Sequence, residues 1–212
     1  MGRTAGARNA DFELRRTELI AKARERLSLP DAAPASFREL ALAAGVSVAT
    51  LRHYFGTREE LIKAVFAHYL NSAERHLNRA RSTDTAHDAL QPALSGFLER
   101  IVQGWTQGHV GSLHRIGLAE GLRSPQTGID YLVDVLEPTL QALETRLASY
   151  IEQGVIRDCD TRHAGLLLLS PILLALLHQH DLGGTRCRPL SLPALIDEHV
   201  KVFVRAYRSE VA

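Results

Sequence analysis

Apolar positions recur at spacings of three and four along almost the whole chain, and no stretch alternates apolar and polar residues for long enough to make a strand. The pattern predicts an all-α protein. Ile20, Ala23 and Leu27 form one stripe of a first helix over about residues 10–28, which the Pro30–Pro34 segment ends. Ser36 with Glu39, and Thr57 with Glu60, have the spacing of a capping box, in which each side chain satisfies the other residue's free backbone N–H. The first opens a short helix, and the second a long one reaching about Arg81. Further helices are predicted at about 85–105 and 110–122, with a break at Ser124–Pro125. A short helix before Pro138 follows, then one to about Gly154. The last two cover about 161–181 and 192–209, separated by Gly183–Gly184 and the Pro189–Pro193 loop.

Phe37–Tyr54, FRELALAAGVSVATLRHY, has the layout of a helix-turn-helix. Two helices that cross closely need a small residue at the fifth position, here Ala41. The turn needs a residue that tolerates positive φ, here Gly45. Leu40, Ala44, Val46 and Leu51 fall at the offsets that hold the two helices together, and Ser47 caps the second. With Leu51 turned inward, Val48, Ala49, Arg52 and His53 are left facing out. A short helix with small residues at its start can enter a major groove about 12 Å wide. The same spacing also suits two amphipathic helices joined by a glycine turn, with no role in DNA binding.

The longer run SFRELALAAGVSVATLRHYFGTREELIKAVF resembles the signature of the tetracycline-repressor (TetR) family, in which A-x-x-A-G-V-S precedes a T-L-Y-x-Y/H-F element, a basic turn and a long helix. The resemblance covers about residues 12–66. It implies an N-terminal three-helix DNA-binding head over 1–57, a connecting helix over 58–82, and a larger helical body over 83–212 that binds an effector and dimerises through its last two helices. The residues expected to meet DNA are Ser36, Arg38, Ser47, Val48, Ala49, Thr50, Arg52, His53, Tyr54, Thr57 and Arg58. Arg52 stands where the family has the first tyrosine of its element, so that backbone contact is replaced either by base readout at guanine or by a phosphate clamp. Tyr54 matches the second aromatic and is expected at phosphate, with packing against the first helix as its other role. Phe55 matches the core phenylalanine. Thr57 and Arg58 open a helix whose N–H groups and dipole favour a phosphate. Arg15 and Arg16 read as a solvated helix face, with reach to the DNA backbone or minor groove as the alternative.

In that architecture Phe97, Trp105, His109, His114, Glu120 and Tyr131 lie in segments that would wall an effector cavity, although each also suits a core or surface position. The segments Leu166–Leu169 and Ile172–Leu177 are apolar nearly all round, more than one neighbouring helix needs to bury. A broad stripe follows on the last helix. Leu167, Ile172, Leu174, Leu177, Ile196, Val200, Phe203 and Tyr207 are therefore the expected dimer interface, two helices from each subunit forming a four-helix bundle. A buried central helix in a monomer is the alternative.

Composition narrows the class. A chain of 212 residues with 45% hydrophobic and 23% charged residues can bury a core. The first thirty residues carry scattered charges and predict no signal peptide. The apolar run Ala164–Leu177 contains Pro171 and is shorter than the roughly 20 residues of a spanning helix, so no membrane partner is expected. Two cysteines, Cys159 and Cys187, suit a reduced cytoplasmic setting. Residues 1–65 hold 11 Lys and Arg against 8 Asp and Glu, a mildly basic start on a mildly acidic remainder. Among ten histidines, His178 and His180 are two apart and point to different faces, while Cys159 and His163 lack a second ligand pair; neither metal nor cofactor is expected. There is no Gly-rich phosphate loop, no G-x-S-x-G and no His-Glu-x-x-His, so no enzyme is expected. The expected function is a sequence-specific transcriptional regulator. It acts as a homodimeric repressor released from a double-stranded DNA operator by a small apolar or amphipathic effector. A DNA-bound scaffold without effector and a helical enzyme are the alternatives.

Overall fold

A computed structural model describes residues 5–29, 34–81 and 90–209, with side chains described over 9–29, 34–71 and 90–209. Pro30, the helix start expected at 85 and the domain boundary expected after 82 lie outside the described residues. Among the described residues the elements are helices: α1 (Ala5–Leu27), α2 (Phe37–Ala43), α3 (Val48–Phe55), α4 (Arg58–Arg81), α5 (Leu90–Gln107), α6 (Val110–Gly121), α7 (Pro125–Tyr131), α8 (Glu137–Glu152), α9 (Thr161–Leu176), α10 (Gly184–Cys187) and α11 (Leu192–Tyr207). Ile156 and Arg208 form an isolated antiparallel bridge.

Two compact units emerge, Met1–Ser72 with Ser112–Val135, and Ala73–Gly111 with Leu136–Ala212. The first is larger than the head expected over 1–57, since it takes in the start of α4, most of α6, and α7. Of the α1 stripe expected from the sequence, Ile20 and Ala23 are buried and Leu27 is half-buried; Leu19 is buried beside them, with Leu40, Leu51, Phe55, Leu61, Ile62 and Phe66 from the next three helices. At α2 the capping box is complete: the Glu39 N–H donates to Ser36 Oγ (3.2 Å) and the Ser36 N–H to the Glu39 carboxylate (2.7 Å). At α4 only half of it forms. The Glu60 N–H donates to Thr57 Oγ1 (3.2 Å), but the Thr57 N–H turns back to the Phe55 carbonyl (2.8 Å). Gly56, at φ +72° and ψ −74°, makes the γ-turn that diverts it.

In the second unit α8 pairs with α9, and α11 packs on α5 and α9. Leu94, Leu98, Leu143, Leu147, Leu168, Ile172 and Val200 lie at the centre of this core. Pro138 does not break the chain as expected. A π-helical stretch over Leu132–Leu136 directly precedes α8, and Pro138 stands in the first turn of α8. Most residues expected at the dimer interface are taken up within the subunit itself. Ile172, Ile196, Val200 and Phe203 are buried within the subunit's own core, and Tyr207 stacks on Phe203 (ring centroids 4.4 Å apart) under Arg157. Leu177 is half-buried against the same core. Of the expected interface residues, only Leu167 and Leu174 are exposed, along with Leu166 on α9 and Val202 on α11. Thr161–Asp181 is long and apolar enough by length and composition to cross a membrane, and its inner face is Leu168, Leu169, Ile172 and Leu176.

Candidate nucleic-acid interface

Local chemistry builds the α2–α3 unit. Gly45 adopts φ +69°, the left-handed conformation the turn requires, and its N–H and that of Val46 return to the Leu42 and Ala41 carbonyls (both 3.0 Å). Ala41 is buried where α2 and α3 meet. Lys22 of α1 donates to the Ala44 carbonyl (3.5 Å), and Arg26 pairs with Glu39 at the same distance. Ser47 then caps α3, its Oγ accepting from the Thr50 N–H (3.0 Å) and lying 2.9 Å from Thr50 Oγ1. Leu51 and Phe55 turn inward.

The opposite face of α3 is left for a partner. Ala49, Arg52 and His53 are exposed, while Val48 and Thr50 are half-buried. Among the described residues, neither Arg52 nor Arg38 is tied by a hydrogen bond or an ion pair. Ser36, Ser47 and Thr57 are exposed, with their oxygens already accepting at a cap. Tyr54 is half-buried and stacks on Phe12 of α1 (4.6 Å, 19°), with His53 edge-on to both rings. The aromatic that matches the family element therefore also pins α3 to α1. Arg15 pairs with Glu18 along its own helix, and Arg16 lies over the Phe55 ring.

Arg58 is corrected. Instead of opening toward a phosphate, its guanidinium donates through Nη1 and Nη2 to the two Glu120 oxygens (2.9 and 2.6 Å) and through Nε to the Ala35 carbonyl (2.7 Å). Glu120, expected at an effector, is spent on the same bond. Nothing in the sequence pairs two residues 62 positions apart; Glu120, the one acidic residue of α6, is the only weak signal.

The other effector candidates divide between the two units. In the first, His114 Nδ1 and the Tyr131 hydroxyl are 2.6 Å apart and both residues are buried. Burial pushes the His114 imidazole down to about 4 and the Tyr131 phenol up to about 12, so both are neutral near pH 7. With the imidazole proton on Nε2, Nδ1 accepts the Tyr131 O–H. Gly117 faces the Tyr131 ring so closely that a Cβ there would collide with it. In the second unit Phe97 and Trp105 belong to the core and His109 is exposed. Among the described residues, no three His, Cys, Asp or Glu side chains converge as a metal site needs.

A capped recognition helix, seated by a glycine turn on a partner helix with an unpaired arginine on its outer face, defines a helix-turn-helix DNA-binding protein. The pattern of the family described as "Bacterial regulatory proteins, tetR family" matches residues 19–65, and that described as "AefR-like transcriptional repressor, C-terminal domain" matches 92–209. The chain belongs to the tetracycline-repressor (TetR) family of bacterial regulatory proteins. It is similar to the HTH-type transcriptional regulator BetI of Brucella canis, 31% identical over 99 residues that cover 43% of this chain and 50% of that one. The chain spans about half the length of the curated relatives it matches. In fold it is similar to a TetR-family regulator from Mesorhizobium loti (TM-score 0.70, 18% identity, 97% of this chain and 100% of that one). It is likewise similar to FadR of Bacillus subtilis, whose structure is in complex with stearoyl-CoA (TM-score 0.66, 18% identity, 89% and 97%).

Proposed function

We propose that this protein is a cytoplasmic homodimeric repressor that binds a near-palindromic operator and is released from it by a small apolar or amphipathic effector. The observation that carries the operator reading is the outer face of α3, where small Val48 and Ala49 precede an exposed Arg52 with no partner among the described residues. Small residues let the helix start approach base edges, and an arginine one turn on can bond guanine O6 and N7. The dimer reading rests on two strips of the second unit. Leu167, Pro171 and Leu174 are exposed on α9, and Ala194, Val202 and Ala206 on α11. These helices pack side by side, His199 Nε2 lying 3.0 Å from the Leu168 carbonyl oxygen. An apolar outward face on α9, beside an α11 face where Ala194, Val202 and Ala206 flank the exposed Glu198, suits a four-helix bundle between two copies. Repression is supported by the AefR-like pattern, and the effector class by the stearoyl-CoA bound to the Bacillus subtilis neighbour.

The test is selection of duplexes by the purified protein, followed by displacement with a small-molecule screen. The expected operator has two half-sites related by a two-fold axis, with log K falling steeply with log salt. Expected effectors displace it equally well after exhaustive chelation. Recovery of no preferred duplex overturns the operator reading. Compounds that bind without changing operator affinity favour a DNA-bound scaffold.

A further inference from the structure

We infer that Arg58 and Glu120 are positioning residues, forming a latch through which the end of α6 sets the placement of the DNA-reading helices; this rests on the operator reading above. Arg58 stands in the first turn of α4 and Glu120 in the last turn of α6. Their side chains are 21% and 8% exposed, so the pair is largely withdrawn from water and its bidentate geometry counts for more than that of a surface ion pair. The third bond extends its reach. Nε holds the carbonyl of Ala35, a buried residue directly before Ser36, and Ser36 is the N-cap whose capping box starts α2. A short bonded path therefore runs from Glu120 through Arg58 and Ala35 to α2, and across the Gly45 turn to α3.

Two further ties within this unit lie along α4. Lys63 Nζ lies 4.0 Å from Asp130 of α7, and the Phe66 ring lies 6.0 Å from that of Tyr131. The Arg58 guanidinium joins the end of α6 to Ala35, the residue directly before the α2 cap. A guanidinium with both Nη groups and Nε engaged in this way is not directed at a phosphate. It acts on DNA through the position of α2 and α3.

Arg58→Gln, Glu120→Gln and the double variant form a cycle that tests the latch, with Arg58→Lys as the charge-conserving variant. Hydrogen exchange of the full-length protein without DNA is the first readout. Glu120→Gln should speed exchange of the Glu39 and Leu40 amides about tenfold while amides of α8 and α9 keep their rates. Unchanged exchange in α2 overturns the latch whether or not the wild-type protein binds DNA. Operator affinity is the second readout. Each single variant should lose about tenfold, the double no more than either, and Arg58→Lys should lose affinity although it keeps its charge. The salt slope should stay as in the wild type. A slope flattened by about 0.9 per subunit in Arg58→Gln makes Arg58 a phosphate contact and overturns the proposal. So does full activity of Arg58→Lys. A wild-type protein that selects no duplex defeats the operator reading alone, and the exchange result still decides the latch.

Discussion

Arg52 and His114 are the two side chains whose surroundings make the sharpest demands. Arg52 stands exposed on α3 with no hydrogen bond or ion pair among the described residues, so removing it costs the folded subunit little. Arg52→Ala should therefore weaken operator binding by roughly 1–3 kcal/mol, concentrated at one base pair per half-site, while the melting temperature holds. An equal loss on every duplex, with a shallower salt dependence, identifies a phosphate clamp instead. His114 makes the opposite demand, because burial holds its imidazole down to about 4. A histidine whose pKa is lower in the folded than in the unfolded chain stabilises the fold above about pH 6.5 and loses that contribution as pH falls toward 4, since the unfolded state takes up the proton first. The loss is on the order of 3 kcal/mol at most. Denaturation at pH 7 and pH 4.5 should show wild type losing more stability than His114→Gln, by a difference of that order. An imidazole that titrates near its ordinary value in the folded protein, read by NMR, rejects the prediction.

Elements depend on neighbours a few residues away, and here sequence and structure agree most closely. The Ser36–Glu39 box, the Ser47 cap and the positive φ of Gly45 all follow from side chains within three or four positions of the backbone they serve. Thr57–Glu60 has the same spacing yet forms only half its box, because the Gly56 γ-turn has already used the Thr57 N–H. At Gly45 an added Cβ would meet only Lys22 Nζ at 3.9 Å, so the cost of substitution is conformational and not steric. Gly45→Ala should destabilise the protein by about 1–2 kcal/mol, and Gly45→Asn by less, since asparagine tolerates the left-handed region. Chemical denaturation checks the order. Equal stability of Ala, Asn and wild type would show that the turn relaxes to negative φ.

At the scale of the whole molecule, the dimer proposed above places the outward face of α9 between two copies. Leu174 is 66% exposed in the subunit, so a charge there meets water and leaves the subunit core intact. Leu174→Glu should yield a folded monomer, because a carboxylate buried without a partner between two copies costs several kcal/mol. Sedimentation should show a dimer for wild type and a monomer with unchanged helical signal for the variant. A wild-type monomer at high concentration sinks the interface. The operator affinity of the variant should fall with its dimerisation, since two half-sites are then met by separate chains.

Periodicity alone shows that Ile196, Val200 and Phe203 share one face of α11, and that face is buried. Whether a second subunit or the same one covers it is a matter of tertiary packing, and α5 and α9 of the same subunit cover it here. Apolar spacing is identical in both cases because water is excluded equally. Arg58 and Glu120 show the same limit for charge. A basic residue at a helix start reads as a phosphate site when its only visible neighbours are those in sequence. Folding supplied a carboxylate from 62 residues away, and a bidentate bond between two largely buried groups leaves the guanidinium no reason to face DNA. The helices, their caps, the glycine turn and the outward arginine of α3 are set by interactions of short range, so the sequence alone determined them. The partners of Arg58, Glu120, His114 and Tyr131, and the side of α9 and α11 left open, depend on contacts between helices far apart in the chain. Only the tertiary structure decided those.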